Sequence, residues 1–411
     1  MGSRVHGALV SACLLCLNLS AVAPLAGQRS TFPERPRLAA SADTNDAAAY
    51  YRLGKEQLRR TPKLAAQAFY WATRLDPTSA EAFYARRIGI LLEEPNLVLG
   101  YLDREKHAMR SRAARTADSL YQRALMMEPF LVRTLDRALW DGYGEQWARE
   151  VERSTRLNDP GALRYDIDRF LKQASPELRA LYSYTEGNYP DAVRNYGIAL
   201  QRRRYKGWLY AQRAHVQFVS GHLAEAESDL GLAMQEARKA DEKDVVYFYE
   251  SKANYEFALG YIMEASGRTS EALEAYGRAL QEDLSYYPAH RRMAGLALAR
   301  HDTAAALGAL ALAASIESAD AGTRLEYATL LLRTRAYDDA EAQLVALTAA
   351  EPWFAPPYAM LGLVRQTLCR AEPAIEAYTA FLERARRADP ARAGVERQIA
   401  TLRAGNAGGG C

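Results

Sequence analysis

The sequence predicts an all-α fold, an α-solenoid of stacked helix-turn-helix units, and three observations predict it. Ala272, Ala306, Ala340 and Ala374 stand 34 residues apart in strict succession. Twelve residues before each comes a small residue, Gly260, Ala294, Ala328 or Gly362, preceded by the larger Leu259, Met293, Tyr327 or Leu361. Four residues after each alanine comes Tyr276, Leu310, Leu344 or Tyr378, and three further on Ala279, Ala313, Leu347 or Phe381. Spacings of three and four place these groups on one helical face. The small residue lets two backbones approach, and the large one fills the hole between neighbouring pairs.

The same columns recur earlier in the chain. Leu53-Gly54, Ala65, Phe69, Ala72 and Pro77 form one copy near the front, with a turn one residue short. Ala180, Gly187, Ala192, Tyr196 and Ala199 form another, and Ala214, Gly221, Ala226, Leu230 and Ala233 a third one period later. The pattern resembles the tetratricopeptide repeat (TPR) in its length and its Leu-Gly, Ala, Phe and Pro landmarks. The resemblance covers most of residues 47 to 387, most specifically from 177 onward. The first-helix tryptophan of that family is replaced by Tyr50 in the first unit and Tyr358 in the last. The resemblance implies a right-handed superhelix whose first helices line a concave side.

At 411 residues the length alone suggests two or three domains. The period argues otherwise, because a solenoid grows by adding units that bury their faces only against neighbours. Residues 1–27 read differently. Arg4 precedes an apolar run from Ala8 through Leu25, a secretory signal pattern. Ala21-Val22-Ala23 is a small-x-small cleavage site hindered by Pro24, and a cut near Ala26 or Gly27 is the other choice. An uncleaved membrane anchor is the alternative, since the run is close to spanning length. Either way the repeats are expected outside the cytoplasm, periplasmic or secreted. The formal charge of +3 loses one with Arg4, and a nearly neutral chain argues against nucleic acid as a partner. The basic run Arg202-Arg203-Arg204 with Lys206 falls at a helix end, where cations complement the dipole.

Cys13 and Cys16 lie in the signal segment, leaving Cys369 and Cys411. An oxidising compartment permits their pairing as a disulfide, within one chain or between two, and a free thiol is the other reading. Cys369 holds the position of Gly267 in the repeat register.

Along the chain, residues 28–45 read as a flexible leader and Asp46 as a helix cap. Residues 47–130 hold the N-terminal units, with an insertion at 94–112. Residues 131–175 form an irregular helical segment broken at Asp141-Gly142 and Asp159-Pro160-Gly161. The regular array spans 177–387, with an elongated helix end over 235–244. Residues 390–404 form a capping helix through Val395, Ile399 and Leu402, and 405–411 a flexible glycine-rich tail.

No catalytic constellation is present. The histidines are scattered, and no His-Glu-x-x-His, phosphate-loop or nucleophile-elbow pattern occurs. No enzyme, cofactor or metal is expected. The resemblance instead implies a groove whose inward register carries Trp208, Ala211, His215 and Phe218, then Asn254, Phe257, Tyr261 and Glu264, then Arg291 and Leu298. Aromatic groups with a few polar neighbours suit a peptide or helix. Packing between repeats is the plainer account of the same aromatics. The lysines and asparagines with which some family members hold acidic chaperone tails are replaced by Glu177, Leu181, Ala211, His215, Phe257 and Tyr261. The expectation is a non-catalytic scaffold for another envelope or secreted protein. The alternative is an accessory protein binding carbohydrate or lipid through the same aromatics.

Overall fold

The computed structural model describes residues 32–93, 112–142, 144–145, 175–202, 206–241 and 251–406. The chain divides into two units, Met1–Glu34 and Arg35–Cys411. Only residues 32–34 of the first are described, and every helix below belongs to the second. Asp46 opens the first pair by accepting from the Ala48 amide at 3.1 Å, and α1 (Ala47–Gln57) packs on α2 (Pro62–Leu75). Helix α3 (Ala80–Glu93) pairs with α4 (Arg112–Met127). The array continues with α5 (Pro176–Thr185) and α6 (Tyr189–Arg202), α7 (Gly207–Val219) and α8 (Leu223–Asp241), then α9 (Lys252–Ala265) and α10 (Thr269–Glu282). It goes on with α11 (Tyr287–Ala299) and α12 (Thr303–Ile316), α13 (Ala321–Arg333) and α14 (Tyr337–Ala350), α15 (Pro356–Thr367) and α16 (Ala371–Arg384), and ends on α17 (Arg392–Asn406). Among the described residues there is no strand. From α5 onward each helix packs chiefly on its neighbours in sequence, the contact pattern of an α-solenoid.

The alanine column explains that stacking. Ala65, Ala117, Ala192, Ala226, Ala272, Ala306, Ala340 and Ala374 are all fully buried. Size compensation within each pair then sets the approach of its two helices. A Cβ added to Gly260 would lie 2.5 Å from the Tyr276 ring, one at Gly362 2.4 Å from Tyr378, and one at Gly54 2.4 Å from Phe69. Where the first helix carries alanine, at Ala294 and Ala328, the second carries the smaller Leu310 and Leu344. In these five pairs glycine faces an aromatic ring and alanine faces leucine, and both choices fill the same gap; α5 and α6 depart from this, with Ala180 and Tyr196 at the same two positions.

A second column governs the turns. Five residues before the buried alanine, six units place a residue at positive φ: Gly187 (77°), Gly221 (84°), Gly267 (75°), His301 (61°), Arg335 (64°) and Cys369 (58°). The following amide reaches back across the turn, from Asn188 to the Ser183 carbonyl at 2.8 Å and from Asp302 to that of Ala297 at 2.9 Å. This is the Schellman closure, which needs a left-handed residue. A side chain there costs about 1–2 kcal/mol, partly offset by the greater unfolded freedom of glycine. His301 and Arg335 are exposed and lose no packing on truncation. His301→Gly and Arg335→Gly are each expected to stabilise by about 0.5–1 kcal/mol. Chemical denaturation checks this, and a lower midpoint in either variant would contradict it. Cys369 is disulfide-bonded, whereas Cys411 lies outside the described residues.

Several segments depart from expectation. Residues 35–45, expected as a flexible leader, are held in place. The Arg35 guanidinium lies 4.6 Å from the Trp71 ring centroid and 6.0 Å from that of Trp353, and Leu38 packs beside Tyr50. The insertion is outside the described residues over 94–111, as is most of 131–175; residues 136–142 within the latter are helical. Arg203 and Arg204 and the tail from 407 also lie outside. Helix α8 does run on to Asp241, and Val395 and Ile399 of α17 bury against the Phe381 cluster.

The N-terminal pairs run back along the array, which the period did not suggest. Asn45 donates to the Glu383 carbonyl at 2.8 Å, Arg74 meets Glu351 at 2.8 Å, and Trp71 packs edge-on to Trp353 with centroids 5.5 Å apart. Arg123 donates to the Ala319 carbonyl at 3.1 Å, and Met126 packs among Phe257, Tyr276 and Leu296. As the residue number rises in the front of the chain, it falls in the array that the front touches.

Candidate binding site

The end of that progression meets the register in which the inner face is expected. Phe130 follows the end of α4 and stacks on Phe218, with centroids 4.0 Å apart at 16°. It also lies 6.0 Å from both His215 and Tyr261. The Arg133 amide donates to the Tyr184 hydroxyl at 2.9 Å, and its guanidinium donates to Tyr121 at 2.7 Å and to Gln212 at 2.6 Å. Tyr184 in turn lies 3.1 Å from His215 Nε2. Burial first, and then the Arg133 charge, hold His215 well below the usual imidazole range, so the ring is neutral. Three of the residues expected to face an open groove, His215, Phe218 and Tyr261, are thus engaged by the chain itself.

Beyond this plug the inner side opens into a cavity of about 530 Å³. Its walls come mainly from the first helices α9, α11 and α13, with Leu310 of α12 and with Met126 and Met127 at the end of α4. Phe257, Glu264, Arg291 and Leu298, four of the residues read as inward-facing, line it. Phe257 nevertheless corrects that expectation in part. It is only 2% exposed, clamped between Tyr276 and Tyr286, and shows the cavity little surface. Trp208 is 43% exposed and Asn254 half-buried on α7 and α9, and neither lines the cavity.

The charged rim is preorganised. Arg291 donates to both Glu326 oxygens at 3.0 and 2.5 Å; burial is the largest single influence on its pKa and lowers it, but the Glu326 hydrogen bonds together with the charges of Glu326, Asp320 and Tyr287 raise it overall. Arg292 donates to Glu264 at 3.1 Å and lies 5.0 Å from the Tyr261 ring centroid. Glu264 also accepts from the Tyr276 hydroxyl at 2.7 Å. These forks fix side chains that would otherwise lose rotamer freedom on binding. Arg333, also in the wall, has no ion pair among the described residues.

Leu325 and Thr329 are cavity residues that the sequence register had not reached. They stand one period after Arg291 and Gly295, so carrying the register one unit further would have found them. Met126 and Met127 had no such signal. Among the described residues no cluster of His, Cys, Asp or Glu is arranged to hold a metal, and no helix is long and apolar enough to cross a membrane.

Paired helices at a 34-residue period, a buried alanine column and left-handed turns define the class: an α-solenoid of stacked helix-turn-helix units. No family model matches the chain, and no curated protein matches it. Similar solved structures include YrrB, a TPR protein with an unusual peptide-binding site, at 16% identity over 46% of this chain and 91% of that one, TM-score 0.36. The C-terminal part of a TPR repeat-containing protein from Cytophaga hutchinsonii is 14% identical over 50% of this chain and 77% of that one, TM-score 0.41. MamA from Desulfovibrio magneticus RS-1 is 15% identical over 43% and 93%, TM-score 0.33.

Proposed function

We propose that this chain is a non-catalytic interaction scaffold, and that the cavity between α9, α11 and α13 receives a short peptide or helix end of a partner protein. The carrying observation is the cavity itself. It combines apolar walls from Leu298, Leu325 and the two methionines with charged forks already fixed in place. Methionine walls adapt to the shape of an inserted side chain. Peptide is favoured over carbohydrate or lipid in this cavity because the aromatic rings nearest it, Phe218, Tyr261 and Phe257, pack against other rings, and the exposed Trp208 does not line it. The apolar run after Arg4 supports export, which makes the partner an envelope or secreted protein.

Gly295 offers a clean test, because it lines the cavity and a Cβ there meets nothing within 4 Å. Gly295→Trp is expected to fill the mouth without unfolding the array. A photocrosslinker at the exposed Thr329 should capture a defined protein in the parent chain and lose it, by about tenfold or more, in Gly295→Trp. Capture that is indifferent to the tryptophan, or equal from Glu225 on α8, would refute the reading. Glycan binding sensitive to Gly295→Trp, with no protein captured, would hand the cavity to carbohydrate.

A further inference from the structure

The second helices repeat in register, so their outward faces can be compared position by position. One residue before the buried alanine, and two and six after it, α10 carries Glu271, Glu274 and Arg278, and α6 carries Asp191, Arg194 and Ile198. At the same places α12 carries Ala305, Gly308 and Leu312, all exposed, and no residue from Thr303 to Ile316 is ionisable. A helix without charge on any side is ordinarily a buried helix. Here Leu312 is 52% exposed and Ile316 37%. The next second helix, α14, extends the strip through Ala342, Val345 and Ala346, with Val345 44% exposed. Exposed apolar residues at matching positions on consecutive second helices are the kind of surface that marks an interaction site.

The flanks give the occupant its chemistry. Glu274 on α10, Asp339 at the start of α14 and Glu376 on α16 are exposed, and none has an ion pair among the described residues. The cations on these flanks are committed: Arg278 to Glu256 at 2.8 Å, and Arg370 to Glu341 and to Asp338. Arg300 and Arg335 stand in turns beyond the helix ends. We infer that the strip across α12 and α14 docks an amphipathic helix of a partner protein whose apolar face is edged on both sides by Lys or Arg. Ala305, Gly308, Ala342 and Ala346 let a helix backbone approach closely, and Leu312 and Val345 stand up between its side chains. The carboxylates on either side meet the cationic edges and set the partner's charge. This face is distinct from the cavity, and the inference does not depend on what the cavity binds.

The test uses two designed helical peptides of about eighteen residues (~27 Å) with the same leucine face, one edged with Lys and one with Glu, titrated against the full chain by fluorescence anisotropy at two salt concentrations. The Lys-edged peptide is expected to bind and the Glu-edged one not. Leu312→Glu should weaken binding by about tenfold or more with an unchanged melting temperature. That variant adds negative charge, so attraction by charge alone would instead strengthen binding. The Glu274→Gln, Glu376→Gln pair should weaken binding and flatten its salt dependence. Equal binding of both peptides, or indifference to Leu312→Glu, would overturn the inference. Concentration-dependent dimerisation abolished by Leu312→Glu would assign the strip to a second copy of this chain. Co-sedimentation with phosphatidylcholine vesicles abolished by the same change would assign it to a lipid surface. Either result would displace the proposed helix.

Discussion

Gly260→Ala and Tyr276→Leu are each expected to destabilise the array, whereas the double variant should recover most of the loss. The Gly260 Cα faces the fully buried Tyr276 ring, and the added Cβ would stand 2.5 Å from it. Overpacking of this kind costs about 1–3 kcal/mol, less about 1 kcal/mol that alanine gains over glycine in a helix. Tyr276→Leu alone leaves a void and removes the hydroxyl bond to Glu264, costing about 2 kcal/mol or more. Together they recreate the Ala294 and Leu310 pairing that the next unit already uses, in which both residues are buried. A coupling of about 1–3 kcal/mol in the direction of recovery follows. Repeat arrays do not always unfold as one unit, so the readout is hydrogen exchange across α9 and α10 rather than a single melting temperature. Additive losses would mean that small and large residues do not compensate across the pair.

Phe130→Ala is expected to cost about 3–5 kcal/mol and to loosen the front of the chain from the array. Phe130 is 5% exposed and touches the rings of His215, Phe218 and Tyr261 from outside their own repeats. Its loss leaves those rings facing a void and removes the anchor beside the Arg133 hydrogen bonds to Tyr184 and Gln212. Protection should fall in α7 and α9 and in residues 126–139 together, while α15 and α16, remote from this contact, keep theirs. A loss confined to residues near 130, or a cost no greater than that of a surface substitution, would contradict a plugged inner face.

Much of this was legible beforehand because it is local. Ala272 and Ala306 are buried at the same place in successive units, so the constraint recurs at the repeat length and is visible as a column. The turn column is legible at Gly187, Gly221 and Gly267 and obscured at His301, Arg335 and Cys369, where side chains occupy a conformation that glycine holds more cheaply. Of the residues read as inward-facing, Phe257, Glu264, Arg291 and Leu298 lie along one cavity, Phe257 almost wholly buried, while Trp208 and Asn254 lie outside it. The register could not tell that His215 and Phe218 would be covered, because their cover comes from a segment outside the regular repeats.

By itself, then, the sequence determined the helices, their pairing and the buried alanines, all consequences of contacts between neighbouring units. Only the tertiary structure decided which of the residues read as inward-facing stay accessible. Phe130 on Phe218, Arg35 beside Trp71 and Trp353, and Asn45 on the Glu383 carbonyl each join residues far apart in the chain and occur once. A contact made once has no period, and its partners are chosen by the path of the folded chain rather than by the composition around either one.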